Sequence, residues 1–285
     1  MTLIRALHAS ALLLSKNGIE DSLTEARLLL GCATNLSQVQ IYTQPQQALS
    51  TDEKDRLDEL LARRLKREPS AYILNHKEFY GIDLYVDSRV LIPRPETELL
   101  VDAALDFARN KSLYLKRPLL ATDIGTGSGA IAISLALNLP TIKIYAIDIS
   151  PLALEVAALN CCHHRVIEQV SLVAGDLLAP LLEPVDLIVA NLPYISNSEI
   201  PSLSPEITGY EPRIALQGGK SGFKCIERLL QQTETKIMTD GCLIMEIGQG
   251  QEAEISQMIC RHLKNATFSF IRDYNSTSRV VKIAL

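Results

Sequence analysis

Residues 119–150, LLATDIGTGSGAIAISLALNLPTIKIYAIDIS, decide the predicted fold of this chain. An apolar run ends at Ile124, a glycine loop follows at 125–129, and an apolar helical segment comes next. A second apolar run then ends in Asp148, about 20 residues beyond the loop. This order is typical of a buried parallel strand, a tight loop, a helix and a second parallel strand. It predicts a doubly wound, mostly parallel α/β sheet with a ligand site at the carboxyl edge.

The glycine loop and Asp148 favour a ligand that contains a nucleoside. Glycines let the chain turn tightly and let a ligand approach the N–H groups at the positive end of the following helix. Asp148 is placed to accept hydrogen bonds from two ribose hydroxyls. Asp123 precedes the loop, where a carboxylate would repel a pyrophosphate but attract an ammonium group, as found on S-adenosylmethionine. Gly125, Gly127 and Ala130 also fit the looser dinucleotide fingerprint, so a nicotinamide oxidoreductase stays an alternative.

Two further strands add residues to the same edge of the predicted sheet. The run 170–174 is followed by Asp176 and Leu177, which are suited to accept from an adenine amino group and to pack on its ring. The run 185–190 is followed by Asn191. The expected cofactor-binding residues are Asp123, Gly125, Thr126, Gly127, Ser128, Gly129, Asp148, Asp176, Leu177 and Asn191.

The tetrapeptide Asn191-Leu192-Pro193-Tyr194 carries the predicted chemistry. The lone pair of an amide or aromatic amine nitrogen is delocalised, which makes methylation hard, and a site can help by accepting both N–H hydrogens so that the lone pair is directed at the methyl group. Asn191 Oδ1 and the Leu192 carbonyl are two such acceptors. Pro193 stiffens the loop, and the ring of Tyr194 offers a flat face for a planar amide or base. We therefore expect all four residues to serve both in catalysis and in binding the substrate.

Composition limits the class of protein. The 285 residues suit a main domain with a smaller partner, and 47% hydrophobic residues allow a sizeable core. A formal charge of −5 argues against stable nucleic-acid binding. Six cysteines without C-x-x-C spacing predict free, mostly buried thiols in a reducing compartment and no metal site. No signal or membrane segment is evident, so we expect a cytoplasmic protein that does not associate with membranes.

The chain divides into three parts by pattern. Residues 1–75 read as a small helical domain, suited to substrate recognition. Residues 76–95 read as a hairpin linker, with strands in the alternating run 80–86 and in 90–92. Residues 96–285 hold the α/β domain, in which 195–217 shows no convincing element and is expected to be a lid or binding loop. Arg94 and Glu98 fit either an ion pair or part of a segment that covers the cofactor.

The motifs IGTGSG, AIDIS, GDL and NLPY, in this order, resemble those of class I S-adenosylmethionine-dependent methyltransferases that methylate amino groups. With EFYG at 78–81, IPRPETE at 92–98 and YEPRIAL at 210–216, the chain resembles the family that methylates the N5 amide of glutamine in peptide chain release factors (PrmC/HemK type). The resemblance implies S-adenosylmethionine as cofactor and a Gly-Gly-Gln glutamine as acceptor. It also implies a seven-stranded sheet with the last strand reversed. We expect a monomer with release factors as its protein substrates.

One position departs from the family pattern. The usual tetrapeptide has two prolines, and Leu192 stands where the first would be. If that position acts through its carbonyl, the chemistry survives with a less rigid loop. The N-L-P-Y form also resembles ribosomal RNA adenine dimethyltransferases, so an adenine-N6 methyltransferase acting on RNA or DNA is the main alternative. A non-catalytic module that binds release factors or ribosomes is the alternative from another class.

Overall fold

The computed structural model describes all residues 1–285, which divide into two compact units. The first unit comprises Met1–His76 and a short later segment, Ser204–Tyr210. The second comprises Lys77–Leu203 and Glu211–Leu285. The sequence predicted a helical domain over 1–75, but it did not predict that seven residues from the middle of the chain would group with that domain. No helix in the structure is both long enough and apolar enough to cross a membrane.

The first unit is a small helical bundle. Its five consecutive helices are α1 (Leu3–Lys16), α2 (Ser22–Thr34), α3 (Gln38–Thr43), α4 (Thr51–Leu65) and α5 (Ser70–Leu74). Ser50 begins α4 with a capping box, in which its hydroxyl accepts from the Glu53 amide and the Glu53 carboxylate accepts from the Ser50 amide. The apolar faces of the helices meet in one core that includes Leu7, Leu29 and Leu57.

Within this unit, the short helix Pro205–Tyr210 is held by ion pairs. Glu206 accepts from Arg64 and from Arg67, both at 3.1 Å, and Arg64 also donates to Glu25 at 3.2 Å. The Arg64 side chain is only 6% exposed, so its charge depends on these carboxylates for partners. Tyr210 adds a hydrogen bond from its hydroxyl to the Lys66 carbonyl, which ties the segment to the end of α4.

The second unit contains a two-stranded hairpin and a seven-stranded sheet. Its strands are β1 (Lys77–Phe79), β2 (Ile82–Leu84), β3 (Leu120–Ile124), β4 (Lys143–Asp148), β5 (Val170–Ala174), β6 (Val185–Ala190), β7 (Ile237–Glu246), β8 (Thr267–Arg272) and β9 (Ser278–Ala284). The later helices of the chain are α6 (Glu98–Ser112), α7 (Ala130–Asn138), α8 (Pro151–His163), α9 (Pro205–Tyr210, in the first unit), α10 (Lys224–Thr233) and α11 (Glu252–His262).

The order of strands in the large sheet is β5-β4-β3-β6-β7-β9-β8. Neighbours from β5 to β7 pair in parallel, whereas β9 runs antiparallel to both β7 and β8. This confirms the predicted seven-stranded, doubly wound sheet with a reversed last strand. Strand β6 is buried along its whole length, as predicted from a run that is apolar except for Asp186.

The hairpin after the helical unit differs from its prediction. It is formed by β1 and β2 around Tyr80 and Gly81, both with positive φ (52° and 72°). The run 90–92 is not a strand, because the Asp87 carboxylate accepts from the Arg89 amide and the Asp87 carbonyl accepts from the Val90 amide, which turns the chain there.

The segment 195–217 and the cysteines also differ from expectation. The segment contains two single 3₁₀ turns and helix α9, which its sequence did not indicate. All six cysteines are free thiols, but only Cys161 and Cys242 are buried. Cys162 and Cys260 lie on outward faces of α8 and α11 and are exposed.

Candidate active site

A cavity of about 430 Å³ lies at the carboxyl edge of the large sheet, within the second unit. Its volume falls in the usual range for small-molecule sites. Four successive parallel strands contribute the loops that line it. The lining includes Gly125 and Gly127 after β3, Asp148, Ile149 and Ser150 after β4, Gly175, Asp176 and Leu177 after β5, and Asn191, Leu192 and Pro193 after β6.

Asp148 is held at the cavity wall by backbone amides. Its two oxygens accept from the Gly127 and Ser150 amides, each at 2.9 Å. Burial raises the pKa of the carboxyl, and the backbone donors oppose this rise. An ionised carboxylate has about four lone-pair sites. Two remain after these bonds, as two ribose hydroxyls would require.

Asp123 lies beneath the glycine loop and does not line the cavity. Its side chain is fully buried, and Oδ2 accepts from the Thr126 hydroxyl at 2.7 Å and from the Ala132 amide at 3.2 Å. Its Oδ1 has no hydrogen-bond partner. Burial raises the pKa of this carboxyl to about 7. These bonds hold the loop to α7, and the expected contact of Asp123 with an ammonium group stays a prediction.

Three other predicted cofactor residues also lie outside the cavity lining: Thr126, Ser128 and Gly129. Thr126 and Ser128 are buried polar side chains, and Gly129 begins α7 with a left-handed φ of 82°. A Cβ at Gly129 would meet Ile133 and Ala157, so this glycine lets α7 pack closely on α8. These residues shape the loop from behind.

The expected adenine subsite contains an ion pair that its sequence did not reveal. Asp176 accepts from Arg228 of α10 at 2.6 Å, and both side chains line the cavity. One Asp176 carboxylate oxygen is therefore already engaged by a guanidinium. Leu177 adopts a left-handed φ of 52°, an unusual conformation for a residue with a branched side chain, and it lines the cavity. Such strain is often found where a side chain is held for a ligand.

Asn191 is fixed by its amide nitrogen. Its Nδ2 donates to Glu246 Oε2 at 2.9 Å and to Thr97 Oγ1 at 3.1 Å. The amide oxygen lies on the other branch of the planar group, at a residue that lines the cavity. Leu192 packs beside the glycine loop, because a Cβ on Gly125 would lie 3.5 Å both from the Leu192 Cδ2 atom and from the Asn191 carbonyl oxygen.

Tyr194 lies behind Pro193 and is not among the residues that line the cavity. Its hydroxyl donates to Glu246 Oε1 at 3.2 Å, and its carbonyl accepts from Gln251 Nε2 at 3.1 Å. Burial together with the neighbouring Glu246 raises the pKa of the phenol, so it stays neutral. The expected stacking face of Tyr194 therefore remains a prediction.

Some residues at the site were not predicted from the sequence. These are the segment around Val90, which lines the cavity, and Glu246 and Thr97, which lie directly behind Asn191. The stretch 212–219 also lines the cavity and overlaps the segment 195–217, which was expected to be a lid or binding loop. Arg94, which was considered as a partner of Glu98, instead pairs with the buried Glu211. A signal for Glu246 was present, since it is an acid at the end of the apolar run GCLIME.

The cavity fits the cofactor that the sequence indicates. Asp148 keeps lone pairs for two hydroxyls, Ile149 and Leu177 offer apolar surface for a base, and Gly125 and Gly127 line the cavity with backbone atoms alone. The glycine loop and the loop after β5 both line this cavity.

Comparison with known proteins identifies the family. The sequence model of the PrmC N-terminal domain matches residues 5–74, and that of ribosomal protein L11 methyltransferase (PrmA) matches residues 110–208. The release factor glutamine methyltransferase of Koribacter versatilis is 37% identical over 284 residues, covering 99% of this chain and 98% of that protein. This chain belongs to the release factor glutamine methyltransferase family. The family member from Geobacter sulfurreducens is 36% identical over 94% of this chain and 91% of its own length.

A solved structure supports the fold independently of sequence. The catalytic domain of hMettl16, in complex with an MAT2A 3′UTR hairpin, superposes with a TM-score of 0.58 over 79% of this chain and 81% of that one. Its identity is only 13%, so the likeness concerns the methyltransferase fold alone. As a member of the release factor glutamine methyltransferase family, the chain is a methyltransferase.

Proposed function

We propose that this enzyme transfers a methyl group from S-adenosylmethionine to the side-chain N5 of the glutamine in the Gly-Gly-Gln motif of peptide chain release factors. Full-length relatives that are named for this reaction support the proposal. The observation that carries it is local. Asn191, which is suited to hold an amide, lines the same cavity as Asp148 and the glycine loop.

Binding of the cofactor is assigned to the cavity. Asp148 holds the ribose hydroxyls, and Leu177 flanks the base. Gly125 and Gly127 present backbone without side chains to the cofactor. Bound there, S-adenosylmethionine supplies an electrophilic methyl group. The Asp176–Arg228 pair leaves Asp176 with one oxygen for the adenine amino group.

The chain's own residues then orient the acceptor. Asn191 Oδ1 and the Leu192 carbonyl each accept one N–H of the substrate amide, which turns its lone pair toward the methyl group. No charged base is needed beforehand, because the proton leaves after transfer. Pro193 stiffens the loop, and Tyr194 supports it through its bonds to Glu246 and Gln251. We assign substrate recognition to the helical first unit and propose that the enzyme works as a monomer.

A transfer assay tests the reaction and the acceptor together. Methyl-labelled S-adenosylmethionine is offered with a release factor, with its Gln→Ala variant in the Gly-Gly-Gln motif, and with ribosomal RNA. We expect label on the unmodified factor alone. Label on the RNA would instead support the adenine-N6 alternative, and label on the Gln→Ala factor would place the reaction at another residue.

The variant Asn191→Ala tests the division of roles. It removes an acceptor that acts on the reacting amide, so transfer should fall by at least about a hundredfold. The dissociation constant for S-adenosylmethionine, measured by calorimetry, should change by less than about threefold. Loss of tight cofactor binding in this variant would contradict the assignment of Asn191 to the acceptor amide.

A further inference from the structure

Glu246 is a buried carboxylate that gathers three donors at the end of β7. The residue is 4% exposed. Its Oε2 accepts from the Thr97 hydroxyl at 2.6 Å and from Asn191 Nδ2 at 2.9 Å, and its Oε1 accepts from the Tyr194 hydroxyl at 3.2 Å. It does not line the cavity, so it touches the site only through Asn191 and the loop that follows.

The register of the sheet brings Glu246 to Asn191. Ala190 pairs with Met245 across the parallel strands β6 and β7, so the residues that follow each of them lie side by side. Thr97 lies in the turn just before α6 and completes the cluster, although it is 149 positions from Glu246. The register of β6 and β7 and the start of α6 therefore place Glu246 and Thr97 together behind the Asn191 amide.

An ionised carboxylate only accepts hydrogen bonds, and this fact determines which way Asn191 faces. With the hydroxyl hydrogen of Thr97 directed to Glu246, both neighbours of the Asn191 amide act as acceptors toward it. The NH₂ branch must then face Glu246 and Thr97, and the Oδ1 branch is left for the cavity. A reversed amide would place Oδ1 against a buried carboxylate, so that the Asn191 oxygen would face no donor and Glu246 would lose one of its three, at considerable cost.

We propose that Glu246 is a positioning residue for methyl transfer, which sets the Asn191 amide so that Oδ1 faces the substrate nitrogen. This inference rests on the proposed role of Asn191 as an acceptor for the glutamine amide. Thr97 is the second member of the device, since it relays a hydrogen bond from Asn191 to Glu246. The Tyr194 hydroxyl donates to the same carboxylate, so Glu246 binds the first and the last residue of the loop 191–194.

The charge of Glu246, and not only its shape, matters in this arrangement. A glutamine at 246 has one accepting and one donating branch. If the side-chain oxygen of this glutamine faces Asn191, it accepts from Nδ2 and the native network is preserved. If its nitrogen faces Asn191 instead, it donates to Oδ1 of a reversed Asn191 amide, and the Thr97 hydroxyl turns to donate to the same oxygen. Both networks are satisfied, so Glu246→Gln keeps the packing but no longer selects one orientation.

The Glu246 carboxylate has few charged neighbours that would influence its protonation state. Burial raises the pKa of Glu246, and the hydrogen bonds from Thr97 and Tyr194 act against this rise. Glu96 adds to the rise and Arg279 opposes it. When Glu246 binds a proton it becomes a donor on one oxygen and loses its selectivity, so the rate of transfer should fall toward acid pH.

The experiment measures kcat, KM and cofactor affinity for two substitutions at Glu246 in the full chain. In Glu246→Ala, we expect kcat to fall by about ten- to a hundredfold, since one placed acceptor loses its orientation. In Glu246→Gln, we expect a smaller loss of about two- to tenfold. KM for the release factor and the dissociation constant for S-adenosylmethionine should stay within about threefold in both. The acid limb of the kcat–pH profile should be absent in Glu246→Gln.

The matched control is Asp186→Asn, which alters another buried acid of the same sheet. Asp186 lies near the start of β6, at the opposite end from Asn191, and accepts from Arg117 and from the Leu120 amide. Its loss should lower thermal stability and leave kcat unchanged. Rates for all variants are taken well below their melting temperatures and divided by the folded fraction.

Each outcome has a distinct meaning. If the folded Glu246→Ala enzyme keeps the wild-type kcat, Glu246 is merely structural and the inference is overturned. The same follows if kcat falls equally in Asp186→Asn. If the wild-type enzyme itself transfers no methyl group to the release factor, the proposed function has failed instead. If Asn191→Ala is inactive while both Glu246 variants are fully active, only the positioning role is lost.

Discussion

Replacing Asp123 with asparagine should change how the free energy of unfolding depends on pH. Asp123 is completely buried beneath the glycine loop, and its Oδ2 takes both hydrogen bonds, from Thr126 and from Ala132. Asparagine keeps an oxygen in that place and sets an uncharged NH₂ at the position of Oδ1, which has no partner. The substitution therefore preserves shape and removes a group that can ionise.

The magnitude follows from the pKa of Asp123, about 7 in the folded protein against an ordinary value of 3.8. At about 1.4 kcal/mol per pKa unit, the difference amounts to about 4 kcal/mol. Because the folded pKa is raised, this stability is fully present below about pH 4 and is lost as pH rises through about 7. Roughly a third of the loss occurs below about pH 5, so the wild type loses about 3 kcal/mol from this group between about pH 5 and about pH 8.5.

Denaturant unfolding of both proteins across this pH range provides the measurement. The buried NH₂ of Asp123→Asn costs about 1–3 kcal/mol at every pH, so only the difference between the two profiles is informative. We expect the variant to gain about 3 kcal/mol relative to the wild type from the acid to the alkaline end. The exposed Asp58→Asn serves as a control and should follow the wild type. Parallel profiles for Asp123→Asn and wild type would refute the raised pKa.

Two further substitutions test the site. Asp148→Ala would remove the two proposed charge-assisted hydrogen bonds to the ribose and should weaken S-adenosylmethionine binding by about ten- to a hundredfold in calorimetry; an unchanged dissociation constant would contradict the proposed ribose site. Gly222→Ala would drive a Cβ into the Tyr194 carbonyl oxygen and should lower kcat at least about tenfold. Gly250→Ala is its matched control, since Gly250 has a similar φ (79° against 86°) but open space around it. Equal effects of the two glycine substitutions would show that backbone strain alone is responsible.

The elements that the sequence predicted well are those whose pattern is local. Strands β5 and β6 begin and end where their apolar runs do, and the glycine loop, Asp148 and Asn191 were placed at one sheet edge because parallel strands end together. The run 90–92 was misread as a strand, because Asp87 turns the chain through a side-chain hydrogen bond that hydrophobic alternation does not report.

Contacts between distant residues were the part that could not be predicted. Thr97 and Glu246 meet across 149 positions, and Arg94 and Glu211 across 117. The grouping of 204–210 with the helical unit depends in the same way on Glu206 meeting arginines far away in sequence. A single sequence does not show which distant residues meet, because the charge and the expected burial at each position are compatible with many partners.

The register of the parallel strands explains why these particular residues lie together at the site. Ile147, Ile124 and Ala190 pair in a row across β4, β3 and β6, and Ala190 continues that row to Met245 of β7. The residue after each one is then Asp148, Gly125, Asn191 and Glu246: the proposed ribose acceptor, the first glycine of the loop, the proposed amide acceptor and the residue that we propose orients it. Leu192 fits this row because its side chain packs into the space left by Gly125, within the core that also holds Ile124. A leucine in place of the usual proline therefore takes its rigidity from burial, at 5% exposure, where a proline would take it from its ring.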